Sequence, residues 1–119
     1  MTTISTSSTE LLARAYAAFN ARDLDAALAT MCPDVVWPNG WEGGTVHGHD
    51  GVRSYWTRQW RVLNPHVEPL RFEPDESGRI IVHVHQVAHD LAGILLSDRM
   101  VQHVYALKDG LILSMDIRE

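Results

Sequence analysis

The residues best placed to do chemistry lie on one alternating stretch, Arg79 to Asp90, RIIVHVHQVAHD. With the period of two of a β-strand, Ile81, His83, His85, Val87 and His89 point one way, and Val82, Val84, Gln86 and Ala88 the other. Two imidazoles on one face of a mid-sheet strand need hydrogen-bond partners, and a ligand pocket supplies them. Histidine is also the side chain whose ordinary pKa suits proton transfer near neutral pH. The expectation is a pocket facing His83 and His85. Paired imidazoles two apart on a strand could also ligate a divalent ion with Asp98 or His103. Those two have opposite parity, so no single register completes the set, and neither metal nor cofactor is assigned.

The rest of the chain must build that pocket. Its 119 residues make one domain with room for a real core. A net charge of -5 argues against a nucleic-acid partner, which requires a basic face. No apolar run approaches the roughly 20 residues of a membrane span. MTTISTSSTE has neither a basic nor an apolar signal region, and Cys32 is the only cysteine. Both features place the expectation in the cytoplasm.

Residues 1–8 read as a flexible tail and 9–119 as the domain. Ser7 with Glu10 fits a capping box for a helix over about 8–21. Asp23 caps a short second helix with Leu24, Ala27, Leu28 and Met31 on its buried side, ended by Pro33. DVVW (34–37) is a short strand, and 38–49 a glycine-rich loop with room for one short pairing. Asp50 caps a third helix over 50–63. Strands follow at 67–74, 79–90, 94–107 and 111–118. Pro69 marks an edge or a bulge, and Lys108-Asp109-Gly110 a tight hairpin. Helices followed by long antiparallel strands give the α+β class: a cone-shaped, curved, mixed or antiparallel sheet with three N-terminal helices on its concave face. The wide end of such a cone is the default cavity.

The segments YAAFNARDLDAALATMCPDVVW, VHGHDGVRSYWTRQW, GRIIVHVHQV and DGLILSMDIR, in that order, resemble the nuclear-transport-factor-2-like superfamily. Within it, the chain is most similar to the SnoaL-like and ketosteroid-isomerase-like branch. The resemblance implies the cone fold, a homodimer through the convex sheet face, and any of several activities, because one fold hosts many functions. Carried over by position, the isomerase's Asp base falls at Asn39 and its oxyanion-hole Asp at Gln102. Its oxyanion-hole Tyr falls at Ala15, with Tyr16 one place off. The last-strand Asp of cyclases and epoxide hydrolases falls at Ile117, with Asp116 on the other face. None of these catalytic sets is intact.

If Gln102 faces the cavity, parity brings Asp98 and Met100 with it, beside His83, His85 and Val87. Met115 and Ile117 line the last strand; Asn39, Trp37 or Trp41, Trp56 and Trp60 wall the mouth and helix side, and the Tyr16 hydroxyl reaches the rim. A carboxylate beside imidazole fixes its tautomer and raises its pKa. Asp98 with His83 or His85 is thus the candidate acid–base pair for isomerisation, cyclisation or hydration of a small hydrophobic substrate. Against it stands a structural reading, with Asp98 paired to Arg99 or Arg53 and the histidines satisfied in the core. The alternative function is a non-catalytic binding or scaffold dimer. In this register Val82, Val84, Gln86, Ala88, Arg99, Val101, His103, Tyr105 and Leu113 form an apolar convex face, which suits an isologous dimer.

Overall fold

A computed structural model describes residues 4–119. In chain order the elements are α1 (Thr6–Asn20), α2 (Leu24–Leu28), β1 (Met31–Pro38), β2 (Thr45–His47), α3 (Gly48–Trp60), β3 (Leu63–Pro74), β4 (Ile80–Asp90), β5 (Leu95–Lys108) and β6 (Leu111–Arg118). The strands form one sheet in the order β2-β1-β6-β5-β4-β3. Every neighbouring pair is antiparallel except β1 with β6, which is parallel. The sheet is open and mixed, with the helices against one face, as a cone-like α+β fold requires.

The local signals explain most of these boundaries. Ser5, not Ser7, caps α1: its side chain accepts from the Ser8 N–H at 3.1 Å. Thr6 to Ser8 are therefore helical rather than tail, and residues 1–3 of the expected tail lie outside the described residues. Asp23 caps α2 as expected, accepting from the Ala26 N–H at 3.1 Å. Met31 begins β1 instead of extending α2, and Pro33 sits where the β1–β6 register shifts between Met31 and Val36. A bulge tolerates a residue that cannot donate to the ladder. α3 ends at Trp60, and β3 starts at Leu63, earlier than expected. Asp50 lies in the first turn of α3, where its charge suits the helix dipole, but the N-cap is His47. Pro69 is both on an edge strand and at a register shift. Asp109 and Gly110, at φ 54° and 78°, make the two-residue turn that a tight hairpin demands.

The two faces of β4 and β5 are the reverse of those expected from the histidines. Val82 and Val84 are fully buried, Val101 and Tyr105 nearly so, and all four pack with α1 and α3 in the core. Gln86, Ala88, Arg99 and His103 share that inner face. His83, His85, Val87, Asp98, Met100 and Gln102 therefore point outward. Burial decides the register: each buried valine side chain contributes about 1.5–3 kcal/mol, whereas a buried imidazole must recover its lost hydration through partners. The apolar convex face is the ground for expecting a dimer there, and Val82, Val84, Gln86, Ala88, Arg99, Val101, His103 and Tyr105 belong instead to the inner face. The true outer face carries Met100, 58% exposed, among charged and histidine side chains.

Candidate functional site

Between the helices and the inner sheet face lies a cavity of ≈ 260 Å³. Much of its wall is aromatic: Phe19, Tyr55 and Trp56 come from the helices, Trp37 from β1 and Trp41 from the loop after it. Trp37 and Trp56 meet edge to face at 5.5 Å, and Phe19 meets Trp56 at 5.0 Å. Such edge-to-face pairs fix the rings as a rigid lining. Met115 and Ile117 complete the wall from β6. Of the residues expected to touch a ligand, Tyr16, Trp37, Trp41, Trp56, Met115 and Ile117 line this cavity.

Two expected lining residues do other work. Trp60 packs against Phe19 and Trp56 and under the Arg22 guanidinium, 5.2 Å from the ring centroid. Its indole Nε1 is buried without a partner among the described residues. Asn39 is buried in the loop after β1. Its Oδ1 accepts from the Glu42 N–H at 2.7 Å and the Trp41 N–H at 3.3 Å, and its Nδ2 donates to Glu42 Oε1 at 2.9 Å. The carboxamide is consumed in shaping that loop, and it is not part of the cavity wall.

The outward-facing groups pair with one another. His85 Nε2 and Asp98 Oδ1 lie 2.7 Å apart, so the carboxylate–imidazole pair exists, but outside the cavity and with Asp98 more than half exposed. His83 Nε2 lies 2.6 Å from Glu73 Oε1 and 3.0 Å from Arg71 Nη2. Val87, Met100 and Gln102 do not reach the cavity either.

The polar centre of the cavity is a set that sequence spacing did not reveal. Tyr105 Oη donates to Tyr16 Oη at 2.8 Å, and Tyr16 Oη lies 2.8 Å from His103 Nδ1. All three are buried. Burial pushes the His103 pKa down to about 4, so the ring is neutral at pH 7. Burial also raises both tyrosine hydroxyls, that of Tyr16 with the adjoining Tyr105 adding to the effect. With its oxygen accepting from Tyr105, Tyr16 can give its one proton to Nδ1 when His103 is in the tautomer that carries its own proton on Nε2. The His103 proton then sits on Nε2, which has no partner among the described residues. His103 lines the cavity, so a ligand meets an N–H donor. Such a donor can hold or polarise a carbonyl, enol or phenol oxygen. By family position, Ala15 and Gln102 were the counterparts of an oxyanion hole; the residues that meet are their next neighbours, Tyr16 and His103.

Among the described residues no Asp or Glu lines the cavity, and Arg99 is the one charged side chain that does. Arg99 Nη1 donates to Glu119 Oε1 at 2.6 Å, and both side chains are more than half exposed. The signal that could have found His103 and Arg99 lies on the neighbouring strand: they share parity with Val101 and Tyr105, and the ladder sets His103 and Val101 opposite the buried Val82 and Val84 of β4. No group of histidine, cysteine and carboxylate side chains among the described residues could hold a metal ion.

No curated protein matches the chain, but solved structures do. One is an NTF2-like protein of unknown function from Burkholderia pseudomallei, with 24% identity, 96% of this chain and 91% of that one covered, and a TM-score of 0.82. A second is TerC co-crystallised with polyporic acid, with 27% identity, 94% and 90% covered, and a TM-score of 0.81. A third is a Mycobacterium tuberculosis protein in complex with estradiol-17β-hemisuccinate, with 19% identity, 93% and 92% covered, and a TM-score of 0.79. A family model described as SnoaL-like domain matches residues 12–115. With that match spanning nearly the whole fold, the chain belongs to the SnoaL-like domain family.

Proposed function

We propose that this protein binds a small, flat, largely apolar molecule in the cavity and holds one of its oxygens on His103 Nε2. The observation that carries this reading is the Tyr105–Tyr16–His103 chain, which can leave a neutral imidazole N–H at the buried His103 of the described lining. Tyr16, Trp37, Trp41, Trp56, Met115 and Ile117 supply the apolar contacts. The complexes of two similar folds, with polyporic acid and with a steroid ester, support a ligand of this size and flatness.

The chemistry this arrangement favours is polarisation of a carbonyl, which makes the neighbouring C–H more acidic. With no carboxylate in the described lining, that proton passes to solvent water in isomerisation or cyclisation. Similar folds named as putative polyketide cyclases support that direction. A second reading, a binder without catalysis, is favoured by the lack of any carboxylate base in the described lining. A homodimer through the outer sheet face, around exposed Met100, belongs to the same proposal and is checked by sedimentation velocity.

The test uses 1-tetralone, an aromatic ketone. Saturation-transfer NMR should detect it on the wild type and lose it on His103→Gln. Deuterium uptake at its C2 position above the buffer rate supports catalysis, and binding without uptake supports the binder. Equal binding by wild type and variant overturns the His103 site.

A further inference from the structure

The cavity has a second polar end. Gln86 and Arg99 face each other across the β4–β5 ladder, and Ser97 stands two residues from Arg99 on the same strand. All three line the cavity. Arg99 and His103, four residues apart on one strand face, have Cα atoms about 13 Å apart. The cavity is thus an apolar, aromatic space with a neutral donor at one end and a cation at the other. That cation is notable in a chain whose net charge is -5, because the surface at large repels anions.

We propose that Arg99, flanked by Gln86 and Ser97, is an anion subsite, and that the ligand is a flat aromatic molecule bearing a carboxylate, a sulfonate or a strongly acidic hydroxyl. The inference rests on the cavity being the ligand site. The planar guanidinium fork matches such oxyanions, and its charge makes the hydrogen bonds stronger than neutral ones. The Arg99 and Glu119 side chains are both more than half exposed, so the subsite lies where the cavity meets solvent. The Glu119 carboxylate, 2.6 Å from Arg99 Nη1, already occupies an oxyanion position on that fork. A ligand anion takes its place, so the guanidinium exchanges one partner for another.

Two fluorescent probes that share one ring system test this. 8-Anilino-1-naphthalenesulfonate carries an anion, and N-phenyl-1-naphthylamine lacks it. The wild type should bind the sulfonate about tenfold more tightly, a difference of about 1.4 kcal/mol. Arg99→Gln should abolish that preference and leave the neutral probe unchanged, while Arg99→Lys keeps part of it. A sulfonate preference that is absent in the wild type, or that survives Arg99→Gln, overturns the subsite with the cavity reading intact. Ala88→Phe narrows the cavity and should weaken both probes. If neither probe binds, or Ala88→Phe affects neither, the cavity reading falls, and the subsite with it.

Discussion

Tyr16 Oη and His103 Nδ1 stand 2.8 Å apart although 87 positions separate them in the chain. That contact joins the first helix to the fifth strand inside the cavity and holds a neutral imidazole where a ligand can reach it.

The contact makes stability depend on pH in a defined direction. His103 has a folded pKa of about 4 against an ordinary value of 6.5, so between those values the unfolded chain binds the extra proton. Its contribution is intact above pH 6.5 and is lost as pH falls to about 4. That lowering corresponds to a loss on the order of 3 kcal/mol. Urea unfolding from pH 7 to pH 4 should show a shallower decline for His103→Gln than for the wild type. Parallel declines would refute a buried neutral ring.

Removing the hydroxyl that links the chain strands both neighbours. Tyr16→Phe leaves the Tyr105 hydroxyl and His103 Nδ1 without their partner, at a cost of about 1–3 kcal/mol. Because the three residues act as a unit, Tyr16→Phe combined with Tyr105→Phe should cost less than the sum of the two single changes. Chemical denaturation of the three variants completes the cycle.

Adjacent residues on β4 should behave oppositely. Val84→Ala opens a hole in the core and should cost about 2 kcal/mol. His85→Ala, on the outer face, should stay within about 0.5 kcal/mol of the wild type. The reverse order of the two midpoints would mean that the inner and outer faces are exchanged.

Gly48 opens α3 at φ 72°, and a Cβ there would lie 3.3 Å from the Pro33 carbonyl oxygen. Gly48→Ala therefore combines a left-handed backbone with a crowded carbonyl. The expected loss is about 1–2 kcal/mol, read as a lower thermal midpoint. Gly43→Ala, also left-handed but with open space around its Cβ, separates the two causes.

The architecture was legible where the signal is local. Asp23 before an apolar stretch, Pro69 in an alternating run and Asp109-Gly110 between two strands each carry their own stereochemistry, and each is found in the role its residue type dictates. The aromatic wall was largely legible too, since Trp37, Trp56 and Tyr16 sit on the apolar sides of their elements. The polar centre was not. On β4 the histidines and the valines alternate with equal regularity, and only the free energy of burying valine rather than imidazole separates the two registers. One slip of parity then carried Asp98, Met100 and Gln102 inward and hid Arg99 and His103. Nor can spacing bring Tyr16 to His103, because that contact exists only once α1 lies on β5.

In the strand order, β6 sits between β1 and β5. Among the described residues it alone joins the β1–β2 pair to the long β3–β4–β5 meander. Ile112 and Met115, carried on that last strand, bring both the joining ladder and part of the cavity wall. Without β6 the β1–β2 pair and the β3–β4–β5 meander share no ladder, which leaves two unmatched sheet edges exposed to aggregation.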